Sequence, residues 1–473
     1  MRTQLNHLSR GDSRKKHQDG AATLVVVMLL FFIIAMVAAY TSRNLIFEQK
    51  TSANQYRSSQ AFEAADAGIE WALAMLNGGR IDEACQPSTD TGNSTFRARY
   101  IDAIDAEGNI ALRTTTAVVD TATVSVSLMP TCVFDATANQ WQCRCPKDGS
   151  AYERSTGAAP VASVSDAEPR PMFRIRFDYI PPTATSRHDV IRIVSAGCTR
   201  PEAVCLVDPP NAPAGDAIAV VTALVALKSG LSTIPGAPLT ARRDIVGGGS
   251  LRATNADAGT AGVTAVAGSS ISGLVSSSLP GVPGSRSTAQ LDTSLSDYAS
   301  GDRMFAALFA AAPSVYSAQP GAVHVPCSGT GGCNAATVNS AAQQNPGRVL
   351  WLEGNLTVDG DIGAAMGTTT SPTAEKIMDS EAAVSGPVIL IVNGTATLSS
   401  GTVFGLVYCR SATWDLGTGS AEVRGALVAE GSLTSTGSQS VVYDVDILTR
   451  LRTRFGSFVR VPGGWKDFAD AAP

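Results

Sequence analysis

The feature that most constrains this chain is an uncharged run from Ala21 to Tyr40, AATLVVVMLLFFIIAMVAAY. As a helix rising ~1.5 Å per residue, it reaches ~30 Å, one bilayer hydrocarbon core. Ahead of it, Arg2, Arg10, Arg14, Lys15 and Lys16 outweigh Asp12 and Asp19. A basic flank stays in the cytoplasm, so everything after Tyr40 is expected to be exported. The run is also longer than the ~7–15-residue apolar core of a secretory signal peptide.

The helical pattern continues past the run. Residues 41–77 contain no Pro, and Gly68 is their one Gly. Phe62, Ala65, Ile69, Ala72, Leu73 and Leu76 recur at three- and four-residue steps, an apolar stripe for packing on another element. Asn77-Gly78-Gly79 is a stop signal. The sequence therefore predicts one helix from about residue 21 to residue 76, ~84 Å long, of which the first half suits lipid.

A basic leader ending in Gly20, the apolar run from Ala21, and Gln60-Ala-Phe-Glu-Ala-Ala-Asp-Ala-Gly-Ile-Glu70 together resemble the N-terminal region of type IV pilus minor pilins of the PilX type. The AFEAADAGIEWAL stretch is the specific part; the leader and run are shared by type IV pilin-like proteins at large. The resemblance implies cleavage by prepilin peptidase after Gly20, N-methylation of the new terminus at Ala21, and insertion of the helix into a fibre core. It implies other minor and major pilins as partners, with a tip adhesin as a further candidate. It also implies an inner-membrane location before assembly, with the C-terminal part in the periplasm, and then the pilus.

The chain departs from the family at Val25, where most pilins carry Glu. A carboxylate in an apolar fibre core is costly unless a buried ammonium pairs with it. Val25 offers no such partner, so the subunit is expected to repeat poorly along a shaft and to sit at the tip or in the priming complex. Size agrees: about 395 residues beyond the helix give a compact radius of ~21 Å, bulky for close stacking.

The fold expected is α+β, with a leader (1–20), the pilin helix (21–78), an antiparallel pilin-like β domain (79–236), a β-rich domain read as a parallel β-solenoid (237–451) and a C-terminal tail (452–473). In the first β domain, Thr95–Ile101, Thr114–Leu128, Val190–Ser195 and Ile218–Leu227 read as strands, and residues 173–179 alternate as a half-buried strand. Residues 129–172 read as an irregular loop. The second is rich in Gly, Ser, Thr, Val and Ala, with short apolar runs at close spacing such as residues 348–353, 386–392 and 421–428. Asn355, Asn393 and Gly394 fall at its turns, residues 302–312 read as an inserted helix, and an antiparallel sandwich is the rival architecture.

Charged residues make up 16 % of the chain and the net charge is −5, which argues against a dedicated nucleic-acid binder. Four His, two of them ahead of the apolar run, make a His-based metal centre or triad a poor fit. No cofactor, metal or catalytic residue is assigned. Nine Cys in an oxidising compartment allow four disulfides and one thiol left over. Cys198 with Cys205 and Cys327 with Cys333 are local closures. Cys132 suits Cys143 or Cys145, with a zinc site at those three as the rival, and Cys85 and Cys409 stay unassigned. Asp359 with Asp361, and Asp444 with Asp446, read as turn acids, the rival being paired acids for polysaccharide chemistry. Arg450, Arg452, Arg454 and Arg460 with Phe455 and Phe458 read as a solvated strand face or a pilin contact, the rival being single-stranded DNA. Two function classes remain: a minor pilin, with a type II secretion pseudopilin as its variant, or a membrane-anchored solenoid adhesin or polysaccharide-acting enzyme.

Overall fold

The computed structural model describes residues 19–104, 110–112, 114–119, 122–147, 170–180, 190–200, 217–278, 289–298, 300–328, 332–364 and 386–467. It divides into a unit ending at Ser59 and a unit beginning at Gln60. The fold is mixed α+β: a long N-terminal helix precedes a β-rich region with antiparallel and parallel sheets.

Helix α1 runs Asp19–Leu76. In the first unit its described side chains are exposed almost throughout. In the second unit its last turns pack on a six-stranded antiparallel sheet, ordered Gly456–Lys466, Ile218–Ser229, Val190–Cys198, Met172–Tyr179, Thr131–Asp135 and Gln140–Arg144. Period-two alternation builds the sheet's inner face. Ile191, Ile193, Val221, Ala223 and Val225 point to a core shared with Ala65, Ile69, Ala72 and Leu76 of α1.

Two local expectations are corrected. Residues 96–100 form a helix, Phe96–Tyr100, and only Ile101–Ile104 is a strand. Thr95 caps that helix by accepting from the Ala98 amide at 3.1 Å, which diverts the backbone from a ladder. Within the stretch read as irregular, Thr131–Asp135 and Gln140–Arg144 form a hairpin, stapled by Cys132–Cys143. Residues 148–169 lie outside the described residues.

In the parallel region one column of paired residues runs Val325, Leu352, Val392, Cys409, Ala429, Ala241, Ala267, Leu291. A second column joins Trp414, Leu433, Ile245 and Ile271, and a third Val403, Val423, Val441, Ala253 and Ser276. Stacking in parallel register lets small and branched side chains fill a continuous core with little charge. At a corner, Gly405 (φ 146°) and Gly425 (φ 136°) lie in register, and a Cβ on either would strike the strand beside it. Two interior side chains bond to backbone carbonyls. Trp414 Nε1 donates to the Ala396 carbonyl at 2.5 Å, and the Gln439 amide donates to the carbonyls of Leu398, Leu416 and Gly417.

The order of strands in this stack differs from their order in the chain. Strands from Leu239 to Leu291 continue the stack beyond those from Glu422 to Val442, although they come earlier in sequence. Helix Gly301–Phe309, overlapping the stretch expected as helical (302–312), and helix Pro313–Ser317 cover the outer side of the first column. Phe305 packs there against Trp351 and Tyr408, Phe309 against Tyr408, and Tyr316 against both phenylalanines. Residues expected as a C-terminal tail instead end helix Val445–Arg454 and form edge strand Gly456–Lys466 of the antiparallel sheet.

Candidate functional site

The candidate site is α1 itself, which presents two different surfaces. From Leu24 to Phe47 its large apolar side chains are all more than half exposed, for example Phe31 at 72 % and Ile33 at 52 %. Thr41 spends its hydroxyl on the Val37 and Ala38 carbonyls, at 2.9 and 3.0 Å, and so adds little polarity. Each large side chain gains roughly 1.5–3 kcal/mol on leaving water, so this surface demands an apolar environment. By length and composition, the helix is apolar enough to cross a membrane. Gly20 and Ala21 lie in its first turns. Val25 is 59 % exposed and presents methyl groups on this surface.

From Gln60 to Leu76 the buried stripe is Ala61, Ala64, Ala65, Gly68, Ile69, Ala72 and Leu76. Of the residues expected to pack, Ala65, Ile69 and Leu76 are fully buried and Leu73 lies at the margin of the core. Phe62 is off the stripe, 36 % exposed and edge-on to Trp465 at 6.3 Å. Sequence reasoning missed Ala61, Ala64 and Gly68, because it began the stripe at Phe62. The contact selects small side chains. A Cβ on Gly197 would collide with the Ala61 carbonyl and the Ala65 amide and stand 2.9 Å from Ala65 Cα. A Cβ on Gly68 would strike Ser195 Oγ and approach the Phe173 ring to 3.0 Å. The spacing of small residues in AFEAADAG was the available signal: backbone meets backbone here.

The end of α1 is fixed by polar contacts. Asn77 accepts from the Phe458 amide at 2.8 Å and donates to the Phe458 carbonyl at 2.9 Å, as a strand would. Its amide also donates to the Leu73 carbonyl. Glu70 pairs with Arg460. Arg97 donates to the carbonyls of Leu76 and Gly456 and lies 5.1 Å from the centre of the Phe458 ring. Arg80 donates to the Gln343 carbonyl at 2.6 Å, which links this junction to the parallel region.

The cysteines pair as Cys85–Cys145, Cys132–Cys143 and Cys327–Cys333, and Cys409 is a buried free thiol. Burial pushes the Cys409 thiol up to about 12. Cys198 is disulfide-bonded, and Cys205 lies outside the described residues. The three cysteines of the zinc alternative are thus all held in disulfides. Arg99, buried beside Cys85–Cys145, donates to the carbonyls of Ile81, Asp82 and Cys145, and burial lowers its pKa.

The acids serve the backbone. Asp359 accepts from the Ala335 amide at 3.0 Å and Asp361 from the Thr402 amide at 2.8 Å. Asp444 caps helix Val445–Arg454 by accepting from the Ile447 amide, and Asp446 lies in its first turn. The four arginines do not share one strand face. Arg450, Arg452 and Arg454 are on that helix, Arg454 is buried, and Arg460 is the partner of Glu70 on the edge strand. Glu430 accepts from the Tyr408 hydroxyl at 2.9 Å and Arg410 Nε at 3.2 Å, and Arg410 reaches Asp302 at 3.1 Å. Burial raises the Glu430 pKa against the pull of Arg410. This cluster fastens helix Gly301–Phe309 to the parallel strands.

Residues 19–70 match the protein-family profile described as PilX N-terminal. Among solved structures the chain is similar to the competence-associated pilin ComZ from Thermus thermophilus, with 11 % identity, 87 % of this chain and 97 % of that chain covered, and a TM-score of 0.18. No curated protein matches the sequence.

Proposed function

We propose that this chain, with its PilX-type N-terminal segment, is a minor pilin-like structural subunit of a type IV pilus, acting in the tip or priming complex. The observation that carries the reading is the division of α1: an apolar surface bare on every side, then a small-residue stripe docked on an antiparallel sheet, with the family match running across both. On this reading prepilin peptidase cuts between Gly20 and Ala21, and Ala21 is then N-methylated. The subunit waits in the inner membrane with its β-rich part in the periplasm. Other minor and major pilins then take over the apolar surface from lipid.

Val25 supports the end position, because it removes the carboxylate through which neighbouring subunits would pair. The bulk of the exported part supports it too. The parallel columns, each in register over several strands, favour reading residues 237–451 as a β-solenoid that projects from a pilin-like domain of residues 79–236. Contact with a surface or with a tip adhesin is the role this projection suits.

N-terminal sequencing of the protein recovered from cells tests the reading. The expected species begins at methylated Ala21 and persists with residues 1–20 attached when the peptidase is deleted. An intact N-terminus in both strains overturns it. Val25→Glu is expected to raise the amount found along sheared fibres, and co-purification with a secretion system instead of pili would favour a type II pseudopilin.

A further inference from the structure

The parallel stack ends in an incomplete rung. Ala289–Leu291 pairs with Ala265–Ala267 and begins a new layer. At Asp292 the chain leaves: its amide donates to the Ala267 carbonyl, and its carboxylate caps the short helix Thr293–Ser296. The layer beneath continues as Ser270–Ser278, which pairs with Asp244–Asn255 on one side. Among the described residues nothing pairs with its other side, and none of its nine residues is buried. Ile271 and Leu274 still pack on the core, so the strand is firmly seated.

Two other sheet ends are guarded. Edge strand Gly456–Lys466 carries Arg460, Pro462 and Lys466 and breaks register between Arg460 and Trp465. The opposite end of the stack, Ala322–Pro326, ends in Pro326, runs into the Cys327–Cys333 disulfide, and has Gly321 packed against Ser457. Charge, proline, irregular register and covering are the ordinary means of preventing strand addition. Ser270–Ser278 has no charge and no proline, and Val275 on it is 41 % exposed.

We propose that Ser270–Ser278 is an acceptor edge for an extended segment of a different protein, which adds one more rung in parallel. The partner's chemistry follows from the edge. The strand turns a corner at Gly273 (φ 63°), matched by the Gly247–Gly249 corner below it. Three residues, Ser270–Ser272, pair before the corner, and five, Leu274–Ser278, pair after it. The ligand is a strand–glycine–strand segment of low charge that bends at the same place. A second copy is a poor occupant. Two-fold pairing runs the strands antiparallel and sets a three-residue arm against a five-residue one. Head-to-tail stacking would need the Ala322–Pro326 end, which abuts its own antiparallel sheet. Main-chain hydrogen bonds supply the affinity and the corner supplies the specificity.

The probe is a fluorescent peptide with the sequence of residues 244–255, DIVGGGSLRATN, which is the rung already paired to this strand. Its binding to the full-length chain in detergent is followed by polarisation. Saturable binding is expected, with none for the same peptide N-methylated at alternate amides. Val275→Lys and Ser277→Pro are each expected to weaken it about tenfold or more, Val275→Lys with an unchanged melting temperature. Lack of saturable binding, equal binding of the N-methylated peptide, or full binding by folded Val275→Lys overturns the proposal. A concentration-dependent dimer abolished by Val275→Lys also overturns it, in favour of a second copy. None of these outcomes bears on peptidase cleavage, so the proposal stands or falls independently of the pilus reading.

Discussion

The antiparallel and parallel regions hold themselves together in different ways. In the antiparallel region, single contacts between distant residues decide the structure: Gly197 under the α1 backbone, Asn77 bonded to Phe458, Arg99 on three carbonyls, and a disulfide spanning a sequence separation of 60. In the parallel region paired residues stack in columns, and two of its interior side chains, Trp414 and Gln439, bond to backbone carbonyls. The first arrangement specifies one partner for one helix. The second is extendable, and its pairing rule does not say where to stop.

The disulfides offer the largest test of this contrast. A closed loop restricts the unfolded chain more as it lengthens. Replacing Cys85 and Cys145 by Ser is expected to cost roughly 4 kcal/mol, and replacing Cys327 and Cys333, six apart, roughly 2 kcal/mol. Urea unfolding of the full chain in detergent, read at two wavelengths, would measure both. Equal losses would mean that the two regions unfold together and that loop length is not the controlling term.

Next comes Gly197→Val. Its side chain has no space beneath α1, and a loss of about 3 kcal/mol is expected, with proteolysis appearing between residues 60 and 76. A smaller effect attends Gln439→Leu, which removes a donor shared by the interior carbonyls of Leu398, Leu416 and Gly417; about 2 kcal/mol is expected, confined to the parallel region in hydrogen exchange. Exchange rising equally in both regions would remove the distinction between them.

The smallest effect concerns His324. Its Nδ1 meets Glu353 Oε1 and its Nε2 the Ser317 carbonyl, both at 2.8 Å. Bonding to Ser317, then to Glu353, raises the imidazole pKa. The charged form is therefore favoured in the folded state. Its contribution is complete below the unfolded value of about 6.5 and is lost as pH climbs through the higher folded value. Half-exposure limits it to less than about 1 kcal/mol. The melting temperature of the native chain should fall relative to His324→Ala over that interval, and parallel curves would refute the pairing.

Much of this contrast was legible beforehand. The apolar run, the long helix and the short strands separated by Gly all follow from local periodicity. The Cys327–Cys333 closure follows from proximity along the chain. What stayed hidden depends on partners remote in sequence. Phe62 looked like a core residue until the sheet's position turned the buried stripe toward Ala61, Ala64 and Gly68. The arginines near the C-terminus looked like one cluster until Arg454 turned inward and Arg460 met Glu70. Thr95–Tyr100 had strand composition, yet a capping hydroxyl decided its conformation.

The bond between Asn77 and Phe458 has a consequence for biogenesis. Asn77 is made early in synthesis, yet Phe458, on the strand that completes its seat, lies 381 residues further along. Until those last residues emerge, Asn77 lacks its mate and Glu70 lacks Arg460. A polypeptide cut short by a few dozen residues would thus carry its rod without a finished cradle. The seat of the first helix is therefore unfinished until Gly456–Lys466 has been made.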